Sequence, residues 1–217
     1  DPEIATTQRF SLDAGDTFTF DANVFADFQN GTASATLAAG PLAQFDAPGL
    51  LSALDRYPYG CTEQIPSGAL PLLYLGGVAE TMGLGSGPDV SERVSQAIQQ
   101  VLTRQASNGA FGLWRAESGD FWLDGYVSDF LSRARAQGYA VPDLAFRLAM
   151  DNLRNRVNYA PDFDKGGEDI AYALMVLARA GAANMGDLRY YADVKAEDFA
   201  TPLAAAQLGA ALAAYGD

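Results

Sequence analysis

The sequence predicts a mainly α-helical fold, with helix hairpins stacked as part of an α/α toroid and preceded by a few β-strands of an incomplete domain. Apolar residues recur at helical spacing through most of the chain after Pro48, glycines stand where those stretches stop, and period-2 alternation is confined to residues 9 to 38. With 217 residues, 49% of them hydrophobic, the chain can build a substantial core, so disorder is not expected.

The alternating segment comes first. Phe18, Phe20, Ala22 and Val24 alternate with polar residues, as do Ala33, Ala35 and Leu37, with turn signals at Ala14-Gly15-Asp16 and Asn30-Gly31. Two or three strands do not close a core alone, so the remaining strands of this β-domain are expected elsewhere in a longer parent. A short helix-like run, Leu50 to Tyr57, leads to a helix over about 63 to 81 that contains Leu70, Leu72, Leu73 and Leu75 and is expected to kink at Pro71. Val90, Val94, Ala97, Ile98, Val101 and Leu102 form the clearest helical face, behind a first-turn Pro88-Asp89. Further helices are expected at about 120 to 137, 142 to 157, 167 to 180 and 201 to 215, with Gly138, Gly181 and Gly216 as stops. Short connections imply antiparallel neighbours, and successive helix pairs joined by turns give the order of an α/α toroid. Two longer connections, Ser107 to Trp114 and Asn158 to Gly166, interrupt the series; the first is expected to tuck Phe111 and Trp114 against helix ends.

Composition narrows the function. Lys and Arg number 14 against 27 Asp and Glu, a net charge of -13 that repels phosphate backbones and anionic lipid, so nucleic acid is not an expected partner. There is no histidine, which removes the usual general base and Zn ligand, and the single cysteine excludes an internal disulfide framework or a Cys metal cluster. Neither a cofactor nor a metal is expected. The paired carboxylates in Glu117-Ser118-Gly119-Asp120 and Asp162-Phe163-Asp164 read as solvated loops in preference to acid–base sites. No apolar run reaches the roughly 20 residues of a membrane-spanning helix. The chain opens at Asp1-Pro2-Glu3 without an initiator Met or a signal-like segment and reads as an internal piece of a larger protein.

The informative segment is Tyr57-Pro58-Tyr59-Gly60-Cys61-Thr62-Glu63-Gln64. A thiol three residues before a primary amide, at a turn entering a helix, can meet the amide carbon; attack by sulfur with loss of ammonia leaves a thioester between Cys61 and Gln64. Gly60 permits the tight turn, and the helix N-terminus favours a thiolate and a developing oxyanion. Such a bond is a single-use acyl donor to an amine or hydroxyl of another molecule, and it survives only if water is excluded. Tyr57, Tyr59 and the leucines beyond are candidate walls, though both tyrosines fit ordinary packing as well. Glu63 is either a first-turn carboxylate that suits the helix dipole or a group that polarises the reacting amide. Outside such a motif, a lone cysteine beside leucines is ordinarily a buried thiol with no chemistry. Trp114, Phe121, Trp122 and Tyr126 could line a pocket, although aromatics at helix ends more often belong to the core.

Gly-Cys-x-Glu-Gln resembles the thioester motif of the alpha-2-macroglobulin and complement family, and the longer Tyr-Pro-Tyr-Gly-Cys-x-Glu-Gln resembles its bacterial branch. Animal members usually carry Gly where this chain has Thr62, so the departure points to the bacterial branch. Similarity extends to Ala47 to Tyr57, Gly125 to Leu131, Asp169 to Leu174 and Asp187 to Tyr191. The resemblance implies a thioester-containing α/α toroid over 47–217, truncated at its C-terminal side, inserted in a CUB-type domain whose leading strands occupy 1–46. It implies a fragment of a covalent protease trap, not an enzyme, whose thioester takes lysine amines of target proteases once a bait segment elsewhere is cut. The partners implied are those proteases and the parent's remaining domains, in a periplasmic or other extracytoplasmic protein often anchored by lipid to the inner membrane. Without histidine in the chain, direct transfer to amines is expected. A ring cut short is expected to leave apolar faces open to self-association. Two other readings remain: an α/α-toroid enzyme such as a terpene cyclase or prenyltransferase, and a protein that attaches covalently to surfaces.

Overall fold

The computed structural model describes residues 4, 6–35, 37, 39, 49–51, 54, 60–81 and 90–216. Its eight named α-helices are α1 (Gln64–Ala69), α2 (Leu72–Thr81), α3 (Val90–Leu102), α4 (Phe121–Ala136), α5 (Asp143–Asn158), α6 (Glu168–Arg179), α7 (Met185–Asp193) and α8 (Pro202–Tyr215). The mainly helical reading therefore holds.

Each helix has local causes. The helix expected over 63 to 81 is broken between α1 and α2 at Pro71, which has no N–H to give a preceding carbonyl; a second departure, at Leu75 (φ −114, ψ 19), bends α2 further. Along α3, Val90, Val94, Ala97, Ile98 and Val101 are buried, the face the spacing predicts. Asp120 caps α4 by accepting from the Leu123 amide at 3.3 Å, and Thr201 caps α8 from the Ala204 amide at 3.2 Å, with Pro202 in the first turn. The expected stops at Gly138, Gly181 and Gly216 all adopt positive φ. Nine-residue α7 was not among the helices expected: only Leu188 and Tyr191 of it are buried, too few for a periodic signal.

Helices α4 and α6 form the centre, buried round most of their circumference. α6 packs against both α4 and α8, α5 lies across α4 and α6, and α7 rests on α8. On the other side α3 joins α1 and α2 to α4. The order is that of successive helix hairpins packed side by side. α8 buries only the stripe Ala204, Leu208 and Ala211, and Leu203 on another side is exposed. No helix among the described residues is long and apolar enough to cross a membrane.

The strands expected over 9 to 38 are not seen among the described residues. Most residues of this segment are exposed, and Ala22–Phe25, where alternation pointed to a strand, is a 3-10 helix capped by Asp21. Alternation prepares a surface for pairing, but a ladder needs a neighbouring strand, and among the described residues none stands beside this segment. The two turns do form. Asp16 N donates to Asp13 O at 3.0 Å and Thr32 N to Gln29 O at 3.1 Å, with Gly15 and Gly31 at φ 99° and 81°. Phe10 stacks on Phe18 within the same segment. The expected boundary at 46/47 and most of the helix-like run 50 to 57 lie outside the described residues; Gly49, Leu50, Leu51 and Leu54 are helical.

Candidate functional site

The site is a turn that becomes a helix. Gly60 sits at φ 58°, a left-handed conformation that a side chain disfavours, and this reverses the chain into Cys61. The Cys61 carbonyl accepts from the Gln64 amide at 3.0 Å and the Ile65 amide at 3.1 Å, starting α1. The same turn folds the Gln64 carboxamide back, so that its Oε1 accepts from the Cys61 backbone N–H at 3.3 Å. Thiol residue and amide thus lie together, as the spacing predicts, and Cys61 is only 8% exposed.

A second loop holds this turn from outside. Thr62 is fully buried; its amide donates to Leu113 O at 3.0 Å, and its hydroxyl lies 2.6 Å from Gly112 O and 2.9 Å from Leu113 O. Arg104, just past α3, donates to the Thr62 hydroxyl (3.1 Å), to Leu113 O (3.3 Å) and to Gly60 O (2.8 Å). One guanidinium therefore ties three points of the site together.

The 105–119 loop is fixed in turn by α4 and α5. Gln105 and Phe111 form an antiparallel bridge, and a Cβ on Gly109 (φ 88°) would lie 1.9 Å from the Leu148 carbonyl oxygen. Phe111 is fully buried, and its amide donates to the buried Asp124 carboxylate at 2.7 Å. Arg156 closes the arrangement, donating to Asp124 at 3.1 Å and to Gly119 O at 2.7 Å. Burial raises the Asp124 carboxyl above its ordinary value against the pull of the Phe111 amide and Arg156. Phe111 tucks in as expected; Trp114 does not, being 59% exposed.

On the other side of Cys61 stands Glu63. Its Oε2 is 4.0 Å from Cys61 Sγ, and its Oε1 accepts from the Ser67 hydroxyl at 3.0 Å. The Ser67 hydroxyl is in turn 2.9 Å from the Tyr126 hydroxyl on α4. Trp122 stacks on the Tyr126 ring at 4.9 Å. Burial pushes the Tyr126 phenol up, the Ser67 bond opposes this, and the negative charges of Glu63 and Asp129 add to the rise.

Of the residues singled out from sequence, Gly60, Cys61, Glu63 and Gln64 come together, while Tyr57 and Tyr59 lie outside the described residues. Phe121 lies beneath Arg156, and Trp122 stacks on Tyr126, whose hydroxyl reaches Ser67. Sequence reasoning missed Thr62, Ser67, Arg104 and Asp124 as parts of the site. Ser67 was within reach, being four residues after Glu63 and so on the same helical face. Arg104 and Asp124 carried no local signal, because their partners are 42 and 13 residues away.

This helical module, with a buried cysteine and a glutamine turned onto it, matches a segment of much longer proteins. No family model matches the chain. It is 34% identical over 222 residues to the alpha-2-macroglobulin of Escherichia coli K12, an alignment taking in 95% of this chain and 13% of that protein. The crystal structure of native E. coli alpha-2-macroglobulin from domain MG7 to the C-terminus superposes at TM-score 0.68 with 33% identity, covering 78% of this chain and 28% of that one. The Salmonella alpha-2-macroglobulin reacted with methylamine gives 0.69, 33%, 78% and 12%, and the trypsin-activated E. coli protein 0.63, 35%, 74% and 12%. The chain belongs to the bacterial alpha-2-macroglobulin family, and it spans about an eighth of the length of the curated relative it matches.

Proposed function

We propose that Cys61 and Gln64 form an internal thioester, and that this chain is the part of a bacterial alpha-2-macroglobulin-like inhibitor that binds an attacking protease covalently. The observation that carries the reading is the return of the Gln64 carboxamide onto Cys61, 3.3 Å from its backbone nitrogen, in a turn that leaves Cys61 almost wholly buried. Burial keeps water from an acyl donor, and the helix-initiating turn brings the Gln64 carboxamide back to the residue that carries the sulfur. A relative solved after reaction with methylamine and another activated by trypsin are in keeping with an amine-reactive group and a protease trigger. In this reading the helix hairpins belong to an α/α toroid, and residues 1–46 begin a CUB-type domain completed elsewhere in the parent. The chain has no histidine to divert the acyl group, so lysine amines of the protease are the acceptors. The parent works outside the cytoplasm, where such proteases arrive.

Intact mass spectrometry of freshly prepared protein tests the bond. The expected mass is about 17 Da, one ammonia, below the encoded value. That deficit disappears in Cys61→Ala. A free Cys61 thiol at the full encoded mass contradicts the proposal.

A further inference from the structure

Thioester chemistry needs a proton carrier, and the chain has no histidine to serve. Closure joins Cys61 Sγ to the Gln64 carboxamide carbon and breaks that carbon's bond to nitrogen. The thiol proton must leave sulfur, and the departing nitrogen must gain one to go as ammonia. Opening by an amine runs the same transfer the other way: nitrogen bonds to the carbonyl carbon, the carbon–sulfur bond breaks, and the amine's proton ends on sulfur.

Resting on the thioester reading, we infer that Glu63 is the carrier of this proton, and that Ser67 and Tyr126 are positioning residues holding its carboxylate toward Cys61. Glu63 Oε2 is at contact distance from sulfur, 4.0 Å, a separation that tightens readily as the reacting atoms approach. Its other oxygen is occupied by the Ser67 hydroxyl at 3.0 Å, which leaves Oε2 free to face the thiol. The same Ser67 hydroxyl also lies 2.9 Å from the Glu63 backbone carbonyl and 2.9 Å from the Tyr126 hydroxyl, so it bridges the Glu63 turn to α4. The Tyr126 ring is held by Trp122 stacked on it. Among the described residues no cation pairs with Glu63; the Ser67 hydroxyl is the neutral donor on its carboxylate, so a proton can pass there without breaking an ion pair. A carboxylate serving only the helix dipole has no need of a phenol from another helix to aim it.

The experiment follows thiol release and methylamine uptake by intact mass in the wild-type chain and in E63Q, S67A, S67T, Y126F and E63Q/Y126F. Gln at position 63 still accepts from Ser67 but carries no proton. Expected are a slowing on the order of 100-fold in E63Q and roughly 5- to 10-fold in S67A and Y126F, with S67T near wild type. In E63Q, adding Y126F produces no further slowing, because Tyr126 acts only through Glu63; a purely structural Tyr126 multiplies the two losses. A wild-type chain without the ammonia deficit overturns the thioester reading and this inference with it. A wild-type chain with the deficit and an E63Q variant of equal rate overturns the inference alone, as does an undiminished Y126F effect in E63Q.

Discussion

Three carboxylates lie against the helical core, and they are answered differently. Asp129 on α4 is buried and clamped by cations: Arg133 donates to it at 2.9 Å, Arg179 donates to the same oxygen, and Tyr172 donates to the other at 3.2 Å. Asp124, one turn earlier, is held by Arg156 and the Phe111 amide. Glu63, beside the cysteine, meets the Ser67 hydroxyl. A buried carboxylate fixed by guanidinium groups is held in place, which suits a strut between helices. One met by a single neutral hydroxyl has no ion pair to break, which suits the role inferred for it.

That difference can be broken at either end. The largest effect is expected for Asp129→Ala, which strips Arg133, Arg179 and Tyr172 of a shared partner at the junction of α4 and α6; denaturant unfolding should lose about 3–5 kcal/mol. Thr62→Val should cost about 1–3 kcal/mol, because it removes the hydroxyl that Arg104 and the 112–113 carbonyls share, and it should slow methylamine uptake as well. Asp124 sharpens the comparison through pH. Its folded carboxyl is raised, so the folded state holds that proton more tightly than the unfolded chain. By linkage its contribution is most favourable below the ordinary carboxylate value and falls away as pH rises through the folded one. Wild type should therefore gain stability over Asp124→Asn as pH is lowered from 7 toward about 4, and the opposite slope would show that its charged form is the favoured one. The smallest stability change belongs to Glu63→Gln, roughly 0.5 kcal/mol by denaturant unfolding, beside its large expected loss of rate. A stability loss as large as that of Asp129→Ala would make Glu63 another strut.

The same contrast explains what the sequence made legible. Helices with a periodic face, such as α3, or a glycine stop, such as α4 and α8, were readable within a residue or two, since periodicity and capping act over one or two turns. The break at Pro71 was readable for the same reason. The Cys61–Gln64 pair was readable because its geometry is set within one turn. Arg104, Asp124 and Tyr126 were not, because what they do depends on partners brought in by the packing of helices distant in sequence. The alternation of 9 to 38 reports a surface suited to pairing, and among the described residues no strand pairs with it.

The most direct test of the thioester is to treat the native protein with deuterium-labelled methylamine, digest it and map the peptides. The label should fall on the Gln64 side chain alone, with one Cys61 thiol appearing for each label taken up, and Cys61→Ala should take up none. Label spread over other glutamines, or uptake that persists without Cys61, would contradict a Cys61–Gln64 thioester.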